Sequence, residues 1–211
     1  MKVRHRSLTS KEILLCTLVF SVFTLGVPAF AEDKPAVPAA APGQDETMKA
    51  WMAMATPGEA HKKLDALAGS WTSETKMWMD PANPPETTTG TAEGKWVLGG
   101  RFLEQRAEGT YMGQPFSGLG YVGYDKYKKK YVGTWMDTTT TMIVNSTGTA
   151  DASGRVFKTW STIDDPFLKK AVKLRSVTKV VDADHLTNEM WGPGPDGKVY
   201  KMFEIHYTRK K

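Results

Sequence analysis

RFLEQRAEGTYMGQPFSGLGYVGYDKYKKKYVGTWMDT, residues 101–138, decides the fold. It reads as three strands, 101–111, 115–124 and 131–138, separated by Met112-Gly113-Gln114 and a turn opening at Asp125-Lys126. Gly, Asn and Asp reverse a chain because they permit the backbone angles a tight turn needs. The pattern continues on both sides. Strands are predicted near 71–79, 88–98, 142–150, 155–163, 171–181, 185–191 and 199–209, with Gly99-Gly100, Asp182-Ala183-Asp184 and Gly192-Pro193-Gly194-Pro195-Asp196-Gly197 among the separators. Short strands in series with no helical crossover imply hairpins in up-and-down order, and closure removes the edges that invite aggregation. The expected fold is all-β: a closed antiparallel barrel of about ten strands over residues 69–211.

The chain opens differently. Lys2, Arg4, Arg6 and Lys11 precede a mostly apolar run from Ile13 to Leu25, then Pro28 and Ala29-Phe30-Ala31. A basic start, a short apolar core and small residues at the cleavage positions are the marks of a signal peptide. The run is too short for a membrane span. Residues 1–31 are therefore read as a signal cleaved after Ala31, and the setting as periplasmic or secreted, with no membrane span once the signal is gone. Cleavage removes Cys16, the single cysteine, so the exported chain forms no disulfide and offers no thiolate. It also removes Lys2, Arg4, Arg6, Lys11 and Glu12 from the 28 basic and 23 acidic residues, leaving 24 against 22. That balance lacks the basic excess of a nucleic-acid binder. Residues 32–44, rich in Ala and Pro, read as a disordered tether.

Residues 45–68 read as a helical cap over one end of the barrel. Met48, Trp51, Met52 and Ala55 recur at helical spacing, and this stripe is expected to lie on the barrel mouth as a lid. Thr56-Pro57-Gly58-Glu59 reads as a helix start with Thr56 as N-cap. Ala60, Leu64 and Leu67 then face inward, His61 is a partly exposed polar residue, and Gly69 ends the helix.

From Met48 onward the chain resembles the domain-of-unknown-function 1579 family of exported bacterial proteins. The segments that carry this are Ala55-Thr56-Pro57-Gly58-Glu59-Ala60-His61, Leu67-Ala68-Gly69-Ser70-Trp71, Trp96-Val97-Leu98-Gly99-Gly100-Arg101-Phe102-Leu103-Glu104 and Gly194-Pro195-Asp196-Gly197-Lys198. The resemblance implies a calycin-like β-barrel and an exported setting, and no activity. Gly69-Ser70-Trp71 is also similar to the start of the first strand in lipocalins, which implies that Trp71 closes the barrel floor.

Other motifs compete with bland explanations. Gly118-Leu119-Gly120-Tyr121-Val122-Gly123 matches the dinucleotide fingerprint, but it lies inside a strand with no helix to face a pyrophosphate. Glycines that let a barrel strand bend are the better account. The basic turn Lys126 to Tyr131 reads as a solvated hairpin tip. His61, His185 and His206 show no metal-ligand spacing, and no cofactor is expected.

The charged residues Arg101, Glu104, Arg175, Glu189 and Glu204 fall within or beside strands. Either they form an ion-pair network bridging strands, or an inward Arg clamps the polar head of a ligand. The expected function is a non-catalytic binding barrel for a small apolar or amphipathic molecule. Its walls are Trp96, Tyr121, Trp135 and Trp191; its anchor is Arg101 or Arg175, balanced by Glu104, Glu189 or Glu204. Three alternatives stay open: a haem barrel with His206 as axial ligand, a hydrolase using interior Glu residues, and a structural or protein-interaction domain. Oligomeric state is not legible.

Overall fold

The computed structural model describes residues 43–211, Phe167 excepted. The signal and almost all of the tether expected from the sequence lie outside the described residues. Two helical pieces come first: α1 (Gln44–Ala55), then α2 (Glu59–Lys62) running into a 3₁₀ turn (Lys63–Leu67). Ten strands follow. They are β1 (Gly69–Met77), β2 (Glu86–Val97), β3 (Phe102–Tyr111), β4 (Gln114–Asp125) and β5 (Lys130–Asp137). Then come β6 (Val144–Ala150), β7 (Val156–Asp165), β8 (Lys170–Val180), β9 (His185–Pro193) and β10 (Val199–Arg209). Each strand pairs antiparallel with its sequence neighbour, and β1 pairs with β10, so the sheet is a closed up-and-down barrel.

Alternation of side chains sorts each strand into two faces. The buried side chains Trp71, Leu103, Tyr131, Phe157 and Leu186 all fall on one parity of the ladder, which is the inner face. They gather at the end where β1 begins and β10 finishes. Leu64 and Leu67, from the 3₁₀ turn, drop into the same cluster and seal it. This end is the floor. Three rings stack edge to face across it: Tyr124 on Tyr131 at 5.0 Å and Tyr131 on Phe157 at 5.2 Å. The Tyr131 hydroxyl donates to the Ala60 carbonyl at 2.9 Å, tying the floor to α2.

Trp71, 2 % exposed, closes the floor as the resemblance implied. The Arg209 guanidinium lies over its ring at 4.0 Å. Nη1 of Arg209 donates to the Ala68 carbonyl at 2.8 Å, and Nε to the Ala183 carbonyl at 2.9 Å. One side chain thus joins the first strand, the last strand and the helical entry.

Three expectations about residues 45–68 need correction. The Met48/Trp51/Met52 stripe does not cover the mouth: α1 has no buried residue and Trp51 is 70 % exposed. Lys126, in the β4–β5 turn at the floor end, donates to the carbonyls of Ala53 and Thr56, so α1 is held at the opposite end from the mouth. Helix α2 starts at Glu59, with Gly58 rather than Thr56 before it. Thr56 instead closes α1, its hydroxyl donating to the Met52 carbonyl. His61 is buried, 7 % exposed, because its Nδ1 accepts the Gly58 N–H at 3.1 Å and its ring meets Tyr124. Burial, helped by the positive charges of Lys126 and Arg101, holds its pKa below the ordinary value.

Strict alternation fails once, on β10. The register slips between Lys201 and Phe203, a β-bulge. Tyr200 and Met202 face inward before it; Phe203, Ile205 and Tyr207 face inward after it. Lys201 therefore shares the outer face with Glu204 and His206.

The floor closure yields a test. Arg209→Ala removes the ring cover and leaves the Ala68 and Ala183 carbonyls without that donor, and is expected to cost about 2–3 kcal/mol in urea unfolding. Lys210→Ala, one residue on, is expected to stay within about 0.5 kcal/mol.

Candidate functional site

Above the floor the inner face mixes small and hydroxyl side chains with apolar ones, among them the buried Val172 and Leu174 of β8. On β2 to β5 the inward positions include Gly90, Ala107, Gly109, Gly118, Gly120 and Gly133. On β6 to β9 they include Ser146, Thr159, Ser161, Ser176, Thr178 and Asn188. These hydroxyl residues point at the barrel axis yet are only half-buried. Side chains aimed at the centre of a closed barrel keep solvent contact only when the centre is open. Eight strands already enclose enough room for one small ligand, and ten enclose more.

The hydroxyl wall is organised. The Asn188 amide donates to Ser176 Oγ and to Thr178 Oγ1, each at 2.8 Å. Ser146 and Ser161 stand directly opposite each other on β6 and β7. Across the axis β10 contributes Phe203, Ile205 and Tyr207. Burial pushes the Tyr207 phenol up to about 12, so it stays neutral through the physiological range. Toward the mouth Tyr200 is raised too, first by burial and then by the negative charges of Asp80 and Asp165.

Charge is distributed unlike the sequence expectation. Among the described inward positions the charged side chains are Arg209 in the floor, and Glu86, Asp137, Asp165 and Lys170 near the mouth. Glu104, on the outer wall, accepts from Tyr121 at 3.0 Å and from Arg106 at 2.8 Å, which holds its carboxyl below the ordinary value. Tyr121 lies outside with it. Glu204 and Glu189 are outer as well, both within reach of Lys201. Lys201 in turn lies 5.3 Å from the Trp78 ring and 5.9 Å from Trp191. Arg175 sits on the outer face of Trp191 at 5.2 Å. Arg101, in the β2–β3 turn at the floor end, donates to the Leu98 carbonyl.

The ten expected site residues thus divide. Trp96 and Trp135 face inward; Glu104, Tyr121, Arg175, Glu189, Trp191, Glu204 and His206 lie on the outer wall, and Arg101 lies in a floor-end turn. Trp96 belongs to the floor, its Nε1 donating to Asp65 at 2.8 Å. The ion-pair network bridging strands is present, with Lys and His more than Arg as the cationic partners. An Arg clamp inside the barrel is absent among the described residues. Haem held inside by His206 does not fit these residues either. His206 Nε2 lies 2.6 Å from Glu204 Oε1 on the outer wall, and no described imidazole faces the space above the floor.

Trp135 faces inward above the floor, and its setting explains the glycine motif. A Cβ on Gly118 would come within 2.8 Å of the indole Cη2, and one on Gly120 within 2.7 Å of Cε3. The benzo ring therefore rests on the backbone of β4, which only glycine at both positions allows. Gly123 does the same outside, where a Cβ would strike the Phe102 ring. Trp135 Nε1 donates to Asp137 Oδ2 at 2.9 Å, fixing the ring's angle. The outer wall has its own concavity of about 830 Å3, open to solvent across β3 to β8 and lined in part by Tyr121, Val132 and Trp160.

The family whose description is "protein of unknown function (DUF1579)" matches residues 56–209. The chain belongs to the DUF1579 family. Among solved structures it is similar to Rv2717c from M. tuberculosis, at 18 % identity and a TM-score of 0.55 over 74 % of this chain and 100 % of that one. It is also similar to the S-type phycobiliprotein lyase CPES from Guillardia theta, at 13 % identity and 0.52 over 74 % and 99 %. Identities this low establish a shared barrel and nothing finer. No curated protein matches the chain.

Two outcomes check this geometry. Gly120→Val is expected to displace the Trp135 ring and cost about 1–3 kcal/mol, read as a loss of near-ultraviolet circular dichroism and a lower urea midpoint. Alkaline stability follows Tyr207. Its pKa is raised on folding, so its contribution is whole below pH 10 and is lost as pH rises toward 12. Unfolding free energy is expected to fall by about 2 kcal/mol over that window, and Tyr207→Phe to flatten the fall.

Proposed function

We propose that this protein is an exported, non-catalytic barrel that carries a small, uncharged, mainly apolar molecule in its interior. The observation that carries the reading is the inner face above the floor: half-exposed hydroxyl and amide groups beside apolar side chains, with no cationic side chain among the described residues between Arg209 in the floor and Lys170 at the mouth end. An anion placed between the floor and the mouth would lose its hydration and meet no positive partner at that depth, a cost that neutral molecules escape; at the mouth Lys170 stands opposite Asp165. Asp80, Asp137 and Asp165 near the mouth disfavour anions further. Apolar enclosure supplies affinity, and the few hydroxyl groups orient the guest. The outer concavity is a poorer host because it leaves a ligand facing water.

The acid–base alternative loses its enclosed site, since Glu104, Glu189 and Glu204 are engaged with outer-wall partners. The phycobiliprotein lyase is a barrel with a small-molecule chemistry in its name, which accords with a hollow scaffold here. Export rests on the sequence marks of residues 1–31. No helix among the described residues is long and apolar enough to cross a membrane.

Native mass spectrometry of protein purified from its own host is expected to show a bound neutral organic molecule. Ser161→Phe, which puts a ring into the interior, is expected to abolish the added mass. Arg175→Ala, on the outer wall, is expected to leave it. Loss of the ligand in Arg175→Ala but not in Ser161→Phe would move the site outside. Export is checked separately: N-terminal sequencing of the extracytoplasmic protein is expected to begin at Glu32, and a full-length form held in the membrane would defeat the cleavage reading.

A further inference from the structure

Within the interior just described, and resting on that reading, we infer that the ligand is flat, and that Trp135 is the surface on which it stacks. Three observations converge on this ring. Glycines at 118 and 120 let one face of the indole lie on the backbone of β4, so that face is spent on protein contact. The hydrogen bond from Nε1 to Asp137 prevents the ring from turning edge-on. The indole nonetheless stays half-buried, and Trp135 is an inward position, so its second face looks into the open centre. A large aromatic ring held in one orientation, with a bare face toward a cavity, is a preorganised stacking platform.

The neighbouring wall supplies the edge contact. Ser146 and Ser161, opposite each other on β6 and β7, lie one step toward the floor from Trp135 along the ladder. Each hydroxyl both donates and accepts, so the pair serves a carbonyl or a ring N–H equally well. Strand order puts β10 opposite β5 in a ring of ten, so Phe203 and Ile205 face the platform from the far wall. A flat neutral guest with an apolar body and one polar edge fits this arrangement. A flexible chain would use the volume but gain nothing from the fixed plane.

Three probes separate the possibilities in purified protein. N-phenyl-1-naphthylamine is flat and neutral; 1-anilinonaphthalene-8-sulfonate is a similar ring system made anionic; 1-decanol is neutral and flexible. The naphthylamine is expected to bind at least about tenfold tighter than the sulfonate, and to lose about tenfold in Trp135→Leu while decanol changes by about twofold or less. Trp135→Phe, which keeps a ring on the glycine bed, is expected to recover most of the loss. If Trp135→Leu does not fold, the wild-type comparison still decides. Decanol binding without naphthylamine binding overturns the platform and leaves the interior carrier standing. Equal weakening of both neutral probes in Trp135→Leu also overturns the platform. Failure of both to bind folded wild-type protein overturns the carrier reading, and the platform with it.

Discussion

Arg209 laid across the Trp71 ring is the contact on which the rest of the structure depends. A ten-stranded sheet of hairpins has two free edges, and each is a row of unsatisfied backbone groups. Pairing β1 with β10 satisfies both at once, and Arg209 is where that pairing is locked. Its guanidinium presents several donors in a fixed plane, which suits the Ala68 and Ala183 carbonyls while its flat face covers the indole. With the floor sealed by this group and by Leu64 and Leu67, the main buried cluster sits at one end, and Val172 and Leu174 are buried toward the other.

The two walls above the floor use different means. From β2 to β5 much of the inner face is glycine and alanine, so the backbone itself forms part of the wall and the Trp135 indole is laid upon it. From β6 to β9 short polar groups alternate with apolar ones such as Val172 and Leu174, and the amide and hydroxyl groups bond partly to one another, as Asn188 does to Ser176 and Thr178. Between the floor and the mouth, charge is kept outside. Lys201 illustrates how: its ammonium lies over the Trp78 and Trp191 rings and meets Glu189 and Glu204, so cation, rings and carboxylates are gathered on the outer wall.

The hairpin ladder was legible because its turns are written in Gly, Asp and Asn at regular spacing, and each strand is long enough to show them. The facing of the strands was not. A barrel has an outer wall as extensive as its inner one, and the outer wall here carries Trp78, Trp160 and Trp191 beside ion pairs, so neither aromatic nor charged residues mark the inside. The bulge between Lys201 and Phe203 then changes sides within one strand, which a count by twos cannot see. Trp71 was legible through its Gly-x-Trp setting. Trp135 had a usable signal in the glycines of the neighbouring strand: alternate Gly118 and Gly120 say that something bulky lies across that face. The α1 stripe misled because helical periodicity reports a face and does not say that the face is covered.

Nine of the ten strand pairings are hairpins or near neighbours in the chain, and each can form as soon as its two strands exist. The tenth joins Trp71 to Arg209, across the whole length of the domain. During synthesis β10 is made last of the ten, so β1 waits as a bare edge while the other nine strands assemble beside it. Loops this long close slowly, and an open sheet with an apolar inner face is the species most prone to pair with a second copy of itself. The seam that makes the finished barrel free of edges therefore makes its nascent form the vulnerable one.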